Sequence, residues 1–133
     1  MTGRADPAAR RRGFDRGNAA IELAVLMPVI VALLFGSIQV ALVFLARHTA
    51  LAAAQEGVTA QRVYQAPSGV GRVRAGAFLA EHNEWITGTA VTVSNDPQSV
   101  TITVTGRAIR LVPFIDVRVS ATAHGTIERT TTP

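Results

Sequence analysis

The chain has 133 residues, enough for one small domain, and it contains no cysteine. The missing cysteines exclude a disulfide scaffold, a cysteine-ligated zinc site and a thiol nucleophile. Its 13 basic side chains, all arginine, outnumber the 9 acidic ones and give a net charge of +4.

The arginines are concentrated at the N-terminus. Residues 1–17 hold five arginines against two aspartates, whereas residues 47–133 are close to charge balance. A nucleic-acid surface would need the excess on the folded domain. We therefore interpret the basic leader as a topology signal and expect no nucleic-acid partner.

A 24-residue run without charge, Leu23–Ala46, follows the leader. As a helix it would measure about 36 Å, against about 30 Å for the hydrocarbon core of a bilayer. The run predicts a transmembrane helix, which we place at residues 18–46. The flanking arginines then put the leader, residues 1–17, in the cytoplasm and residues 47–133 outside. A secretory signal cleaved at Ala52–Ala54 is the alternative, although its apolar core would normally be only about 7–15 residues long.

The junction between leader and run resembles that of type IV prepilins and pseudopilins. It places Gly17 after the basic leader and Glu22 five residues later, before a long apolar helix. The resemblance implies that a membrane peptidase cuts after Gly17 on the cytoplasmic side. The cut would create an ammonium on Asn18, one helical turn from the Glu22 carboxylate, and opposite charges so close stabilise each other. The alternative is that Glu22 is simply an interfacial carboxylate.

The junction is similar in more detail to TadE-like and TadG-like proteins of the tight-adherence pilus system. These begin Arg-Gly-x-Ala-x-Val/Ile-Glu-x-Ala and continue with an apolar run that carries a proline, as residues 16–28 do here. Residues 45–57, followed by Val58, are similar to a second segment of the family's sequence. Gln55 and Val58 differ from the residues that the family often has at those two positions. The resemblance implies a single-pass, pilin-like protein of the bacterial cell membrane that serves assembly of a tight-adherence-type pilus or a related secretion machine. The implied partners are other pilin-like subunits, pilus assembly proteins and a prepilin peptidase.

The helical pattern continues beyond the uncharged run, because Arg47–Tyr64 contains no proline. We expect one continuous helix over about Asn18–Tyr64, half transmembrane and half outside. Small residues form a stripe along one face of its outer part. They are Ala46, Ala50, Ala53, Gly57 and Ala60. The stripe is either a docking face for the chain's own strands or a packing surface for a helix of another subunit.

The rest of the sequence predicts a second, short helix and a three-stranded antiparallel meander. The helix is expected over residues 70–83. Its predicted apolar face consists of Val70, Val73, Ala77 and Phe78. We expect Trp85 and Ile86 to fold onto the core. From Thr87 onward apolar and polar residues alternate, with a turn signal at Asn95–Pro97. The predicted fold class is therefore membrane-anchored α+β.

No catalytic constellation is visible in the sequence. The histidines are widely spaced, and neither a nucleophile elbow nor a phosphate-binding loop occurs. We expect no catalytic residue, no cofactor and no metal site, and we predict that the chain is not an enzyme. The alternative function is a membrane-tethered extracytoplasmic binding domain unrelated to pili.

Overall fold

The computed structural model describes residues 7–63, 65–127 and 129, with only the backbone described for residues 7–16. The elements are α1 (Pro7–Gln61), α2 (Val70–Glu81), β1 (Ile86–Asn95), β2 (Ser99–Ala108) and β3 (Arg118–Thr126). A long helix, a short helix and a three-stranded antiparallel sheet confirm the predicted α+β class. The chain divides into two compact units, Met1–Ser37 and Ile38–Pro133.

Helix α1 begins earlier than the sequence predicted, at Pro7 rather than Asn18, so that Gly17 lies within it. Proline is favoured in a first helical turn because the N–H it lacks would have no helical partner there. The helix ends at Gln61. Tyr64, where we expected its end, lies outside the described residues, as do the side chains of the leader arginines.

The first unit exposes its apolar side chains. Nearly every described side chain from Gly17 to Ser37 is exposed, on all faces of the helix. Within the described residues, Gly17–Gln61 is the one helix long and apolar enough to cross a membrane, and only 11% of its most apolar window is buried. That exposure differs from a soluble core helix, whose apolar face is covered by protein.

The second unit is built around the antiparallel sheet, in the order β1-β2-β3. The turn between β1 and β2 is closed by Asp96 and Ser99, whose backbone N–H groups each donate to the other's carbonyl oxygen, at 2.8 and 3.4 Å. The register of β1 against β2 shifts between Thr87 and Ala90, where Gly88 has a φ of +59°. Glycine tolerates this left-handed conformation. The strand order and the turn closed by Asp96 and Ser99 confirm the predicted meander and its turn.

The core combines small residues on α1 with branched residues on the central strand. Ala46, Ala50, Ala53 and Ala54 of α1 are fully buried, as are Val100, Ile102 and Val104 of β2. The alternation of buried and exposed residues along β2 and β3 follows the predicted period of two. On the opposite face Thr103 and Thr122 pair through their hydroxyl groups at 3.0 Å, so that face is polar.

The predicted apolar face of the second helix is correct only in part: Phe78 packs against the core and Val70 is half-buried, whereas Val73 and Ala77 are exposed. Val73 is 71% exposed, and the buried residues of α2 are instead Gly71, Ala75 and Leu79. The reason is that α2 faces Gly57 of α1 with Gly71 and Ala75, at a backbone separation that would not admit a valine. Ile86 is buried as predicted, whereas Trp85 remains 37% exposed and does not join the core.

Candidate functional site

The candidate processing segment is exposed throughout. Gly17, Asn18 and Glu22 all lie in α1 in exposed positions, and beyond the adjacent residues and the backbone of its own helix no described atom lies within 4 Å of the position that a Cβ on Gly17 would take. Asn18 and Glu22 are four residues apart in one helix, so they occupy the same face, about 6 Å apart along the axis. None of the described side chains covers this segment, but a peptidase would have to unwind a helical turn to reach the backbone. Cleavage after Gly17 stays a prediction.

The small-residue stripe packs within the chain itself. Ala46, Ala50 and Ala53 are fully buried members of the core cluster that includes the central strand, and Gly57 is buried as well. Ala60 is partly exposed. Of the two interpretations open from the sequence, this is the docking face for the chain's own elements. The four buried positions are therefore occupied and do not offer a surface to another helix.

Helices α1 and α2 approach each other closely at Gly57 and Gly71. A Cβ on Gly57 would lie 2.7 Å from the Gly71 carbonyl oxygen, and a Cβ on Gly71 would lie 2.7 Å from the Gly57 carbonyl oxygen. The Cδ1 atom of Ile102 would lie within 3 Å of either Cβ. Glycine at both positions thus allows the two helices to pack backbone to backbone on top of the central strand.

Gln61, at the end of α1, fixes the start of α2. Its Oε1 accepts a hydrogen bond from the Gly71 backbone N–H at 3.0 Å, and its Nε2 donates to the Pro67 carbonyl oxygen at 3.3 Å. The N-cap residue of α2, Gly69, has no side chain to perform this role. Gln61 therefore satisfies an N-terminal backbone donor that would otherwise lack a partner.

Gln39, near the start of the second unit, makes a second set of hydrogen bonds from a side-chain amide to backbone groups. Its Oε1 accepts from the backbone N–H groups of Leu111 at 2.8 Å and Val112 at 3.2 Å, while its Nε2 donates to the Ile109 carbonyl oxygen at 3.1 Å. Gln39 is buried. The amide thus makes three hydrogen bonds, so that neither its oxygen nor its nitrogen is buried without a partner.

The loop held by Gln39 joins β2 to β3 and exposes apolar side chains. Phe114 is fully exposed, and Leu111 and Ile115 are 43% and 40% exposed. Phe114 also has a φ of +72°, a conformation that bulky residues rarely adopt. At the base of the loop, the Ala108 N–H donates to the Val117 carbonyl oxygen at 3.1 Å. We call residues 109–117 the apolar loop.

Sequence reasoning did not identify Gln39, Gln61 or the apolar loop. The signal for Gln39 was present: it is one of the few polar residues inside the uncharged run, and a polar group in such a place needs a partner. The partner could not be found because it lies about seventy residues away in the chain. The signal for the loop was Pro113, where the alternation of the strands stops.

The histidines make structural contacts. His48 meets the ring of Phe44 edge to face at 4.3 Å, and His82 stacks on Phe78 at 4.2 Å. His124 Nδ1 lies 2.9 Å from the Thr101 hydroxyl oxygen on the polar face of the sheet. In the part of the chain that the structure describes, no group of three or more histidines and carboxylates is placed to hold a metal ion.

Comparison with known proteins bears on residues 17–59. The family model described as TadE-like protein matches residues 17–59, which contain the junction, the uncharged run and most of the stripe. Searches of curated proteins and of solved structures returned no match. The resemblance indicated by the junction is thus confirmed: over residues 17–59 this chain matches the TadE-like family.

Proposed function

We propose that the chain is a single-pass, pilin-like membrane protein that acts in the assembly of a tight-adherence-type pilus or a related secretion machine. The observation that carries the proposal is the TadE-like match over residues 17–59, which covers Gly17, Glu22 and most of helix α1. The exposed apolar helix supports membrane anchoring, because so much uncovered apolar surface is unfavourable in water.

The proposed orientation places the basic leader in the cytoplasm and the second unit outside, in the bacterial cell membrane. Five arginines precede the uncharged run, whereas Arg47 and Arg62 are the nearest ones after it. An excess of arginine on one side of a span favours the cytoplasmic location of that side. The anionic cytoplasmic leaflet would further attract the leader, by about 1 kcal/mol for each arginine near the surface.

The proposed partners are other pilin-like subunits, pilus assembly proteins and a prepilin peptidase acting at Gly17. Because the buried part of the stripe is already occupied, helix packing with other subunits would fall to the exposed apolar residues between Gly17 and Ser37. Glu22 is the one carboxylate in that segment. In a poorly solvated assembly the Glu22 carboxylate would form an ion pair with the Asn18 ammonium of its own chain or of a neighbouring subunit.

The test is a comparison of Glu22→Ala with Glu56→Ala in a strain that assembles the pilus. Both glutamates lie on α1, but Glu56 is in the second unit, where its Oε2 lies 3.3 Å from Arg74 Nε. We expect Glu22→Ala to abolish or strongly reduce surface pili while Glu56→Ala leaves them in place. Normal pili in the Glu22→Ala strain would refute the role of that carboxylate.

Mass spectrometry of the mature N-terminus tests the processing step separately. A start at Asn18 supports cleavage by a prepilin peptidase. A start at Gln55 would show secretion after removal of a signal and would contradict the membrane anchor. A start at Met1 would contradict processing while leaving the anchor intact.

A further inference from the structure

Among the described residues that follow helix α1, the apolar loop, residues 109–117, holds the largest group of exposed apolar side chains. Of the large apolar residues exposed after Gln61, three lie in this one loop: Leu111, Phe114 and Ile115. Elsewhere the outward-facing residues of the sheet are mostly threonine, serine and charged residues. An exposed apolar cluster on an otherwise polar surface is typical of a site that contacts a membrane or another apolar surface.

The position of this loop along the chain's long helix is fixed by Gln39. Three hydrogen bonds join the Gln39 amide to the backbone of residues 109, 111 and 112. These bonds restrict the loop to one level of α1, and they hold its backbone rather than its side chains. The side chains of Leu111, Phe114 and Ile115 therefore remain free for another contact.

Gln39 lies inside the uncharged run, Leu23–Ala46. The helix from Asn18 to Ile38 is already about 32 Å long at 1.5 Å per residue, and a bilayer core is about 30 Å thick. A hydrocarbon core that begins between Asn18 and Leu23 thus ends between about Ile38 and Val43, within about one helical turn of Gln39. The first charge after it on the helix, Arg47, comes about two turns later.

From this placement we propose that the apolar loop inserts Phe114, with Leu111 and Ile115, into the outer leaflet of the membrane that α1 crosses. The inference rests on the membrane anchoring stated under the proposed function. Arg110 is exposed immediately before these residues, where a guanidinium would meet lipid phosphates. The left-handed backbone of Phe114 turns an aromatic side chain fully outward at a conformational cost, which burial in lipid would offset.

The test places a fluorescent reporter in the loop of the full-length chain reconstituted in phosphatidylcholine vesicles. The chain has a single tryptophan, Trp85, so Trp85→Phe removes the background. Phe114→Trp in that background reports on the loop. The matched control is Gln98→Trp, in the exposed turn at the other end of β2, about 30 Å away for a ten-residue strand.

We expect the tryptophan at position 114 to show blue-shifted emission and strong quenching by lipids that carry a quencher near the headgroup end of the acyl chain. The control at position 98 should show emission typical of water and no such quenching. Recovery of the same vesicles after alkaline carbonate extraction, with the chain still bound, establishes separately that α1 is inserted.

The outcomes distinguish the loop from the anchor. An inserted chain whose position 114 is no more quenched than position 98 overturns the loop proposal and leaves the anchor standing. A chain that carbonate removes from the vesicles overturns both. A blue shift that appears only at high protein density, without quenching by lipid, would show that the loop contacts a second copy of the chain instead and would also overturn the proposal.

Discussion

Replacing Gly57 with alanine tests the close approach of α1 and α2. The added methyl would lie 2.7 Å from the Gly71 carbonyl oxygen, 2.7 Å from Ile102 Cδ1 and 3.1 Å from Ala75 Cβ. The Ile102 methyl can rotate away, but the Gly71 oxygen belongs to the backbone of α2. The two helices must therefore separate by several tenths of an ångström, and the contacts along the crossing weaken together.

Two opposing free-energy terms decide the result. Overpacking of a well-filled core costs about 1–3 kcal/mol. Alanine in place of glycine inside a helix contributes about 1 kcal/mol of stability. We expect the clash to dominate for Gly57→Ala and to leave a net loss of about 1 kcal/mol in the free energy of unfolding.

Gly76→Ala is the matched control, since the same methyl is added to another helical glycine. Beyond the adjacent residues and the backbone of α2 itself, no atom lies within 4 Å of the Cβ position of Gly76, so only the propensity term operates. We expect a gain of about 1 kcal/mol in the free energy of unfolding. The two variants should therefore change stability in opposite directions and differ by about 2 kcal/mol.

The assay is thermal unfolding of the full-length protein in detergent micelles, followed by circular dichroism at a wavelength that reports on the sheet. For a unit of this size about 1 kcal/mol corresponds to a shift in Tm of roughly 4–8 °C. A Gly57→Ala variant whose Tm rises as much as that of Gly76→Ala would contradict the close approach of α1 and α2, because the helices would then have room for the methyl.

Three further predictions concern the second unit. Ile102→Ala removes a fully buried branched side chain from the central strand and should cost about 2–5 kcal/mol, measured by the same thermal assay. Gln39→Leu leaves the loop backbone without its partners and should raise amide hydrogen exchange at Leu111 and Val112 while exchange in β2 is unchanged. Arg74→Ala breaks an ion pair between two exposed side chains and should change stability by less than about 1 kcal/mol, so a larger loss would contradict the assignment of that pair as a surface contact.

The elements with strong periodicity could be predicted from the sequence. The alternation at Val100, Ile102 and Val104 gave the central strand and its buried face, and the absence of charge in residues 23–46 gave the apolar helix. Both signals are local patterns of apolar and polar residues, in which the type of each residue indicates whether its own position is apolar or polar. The junction at Gly17 was identified through its spacing, and the family match then covered it.

The faces and partners of the elements could not be predicted in the same way. A pattern of large apolar residues favoured Val73 for the buried side of the second helix, but the close crossing at Gly57 selected Gly71 and Ala75. The separation of two packed helices can be short enough to require glycine or wide enough to admit valine. Which of the two applies depends also on the residues of the other helix, and these lie outside the sequence segment that predicts the first. The same limit applies to Gln39, whose loop partner follows much later in the chain.

The two buried glutamines also bear on how one arrangement of α1 is selected. Small residues recur every three to four positions along its buried face, so a shift of the helix by one turn would place alanine where alanine stood before. Such a face packs well, but it packs almost equally well when the helix is shifted by one turn. Gln39 and Gln61 remove this ambiguity, because after a one-turn shift both amides would be buried away from their backbone partners. A few polar contacts would thus specify the alignment that the alanines then stabilise, and a chain with leucine at both positions should sample more than one.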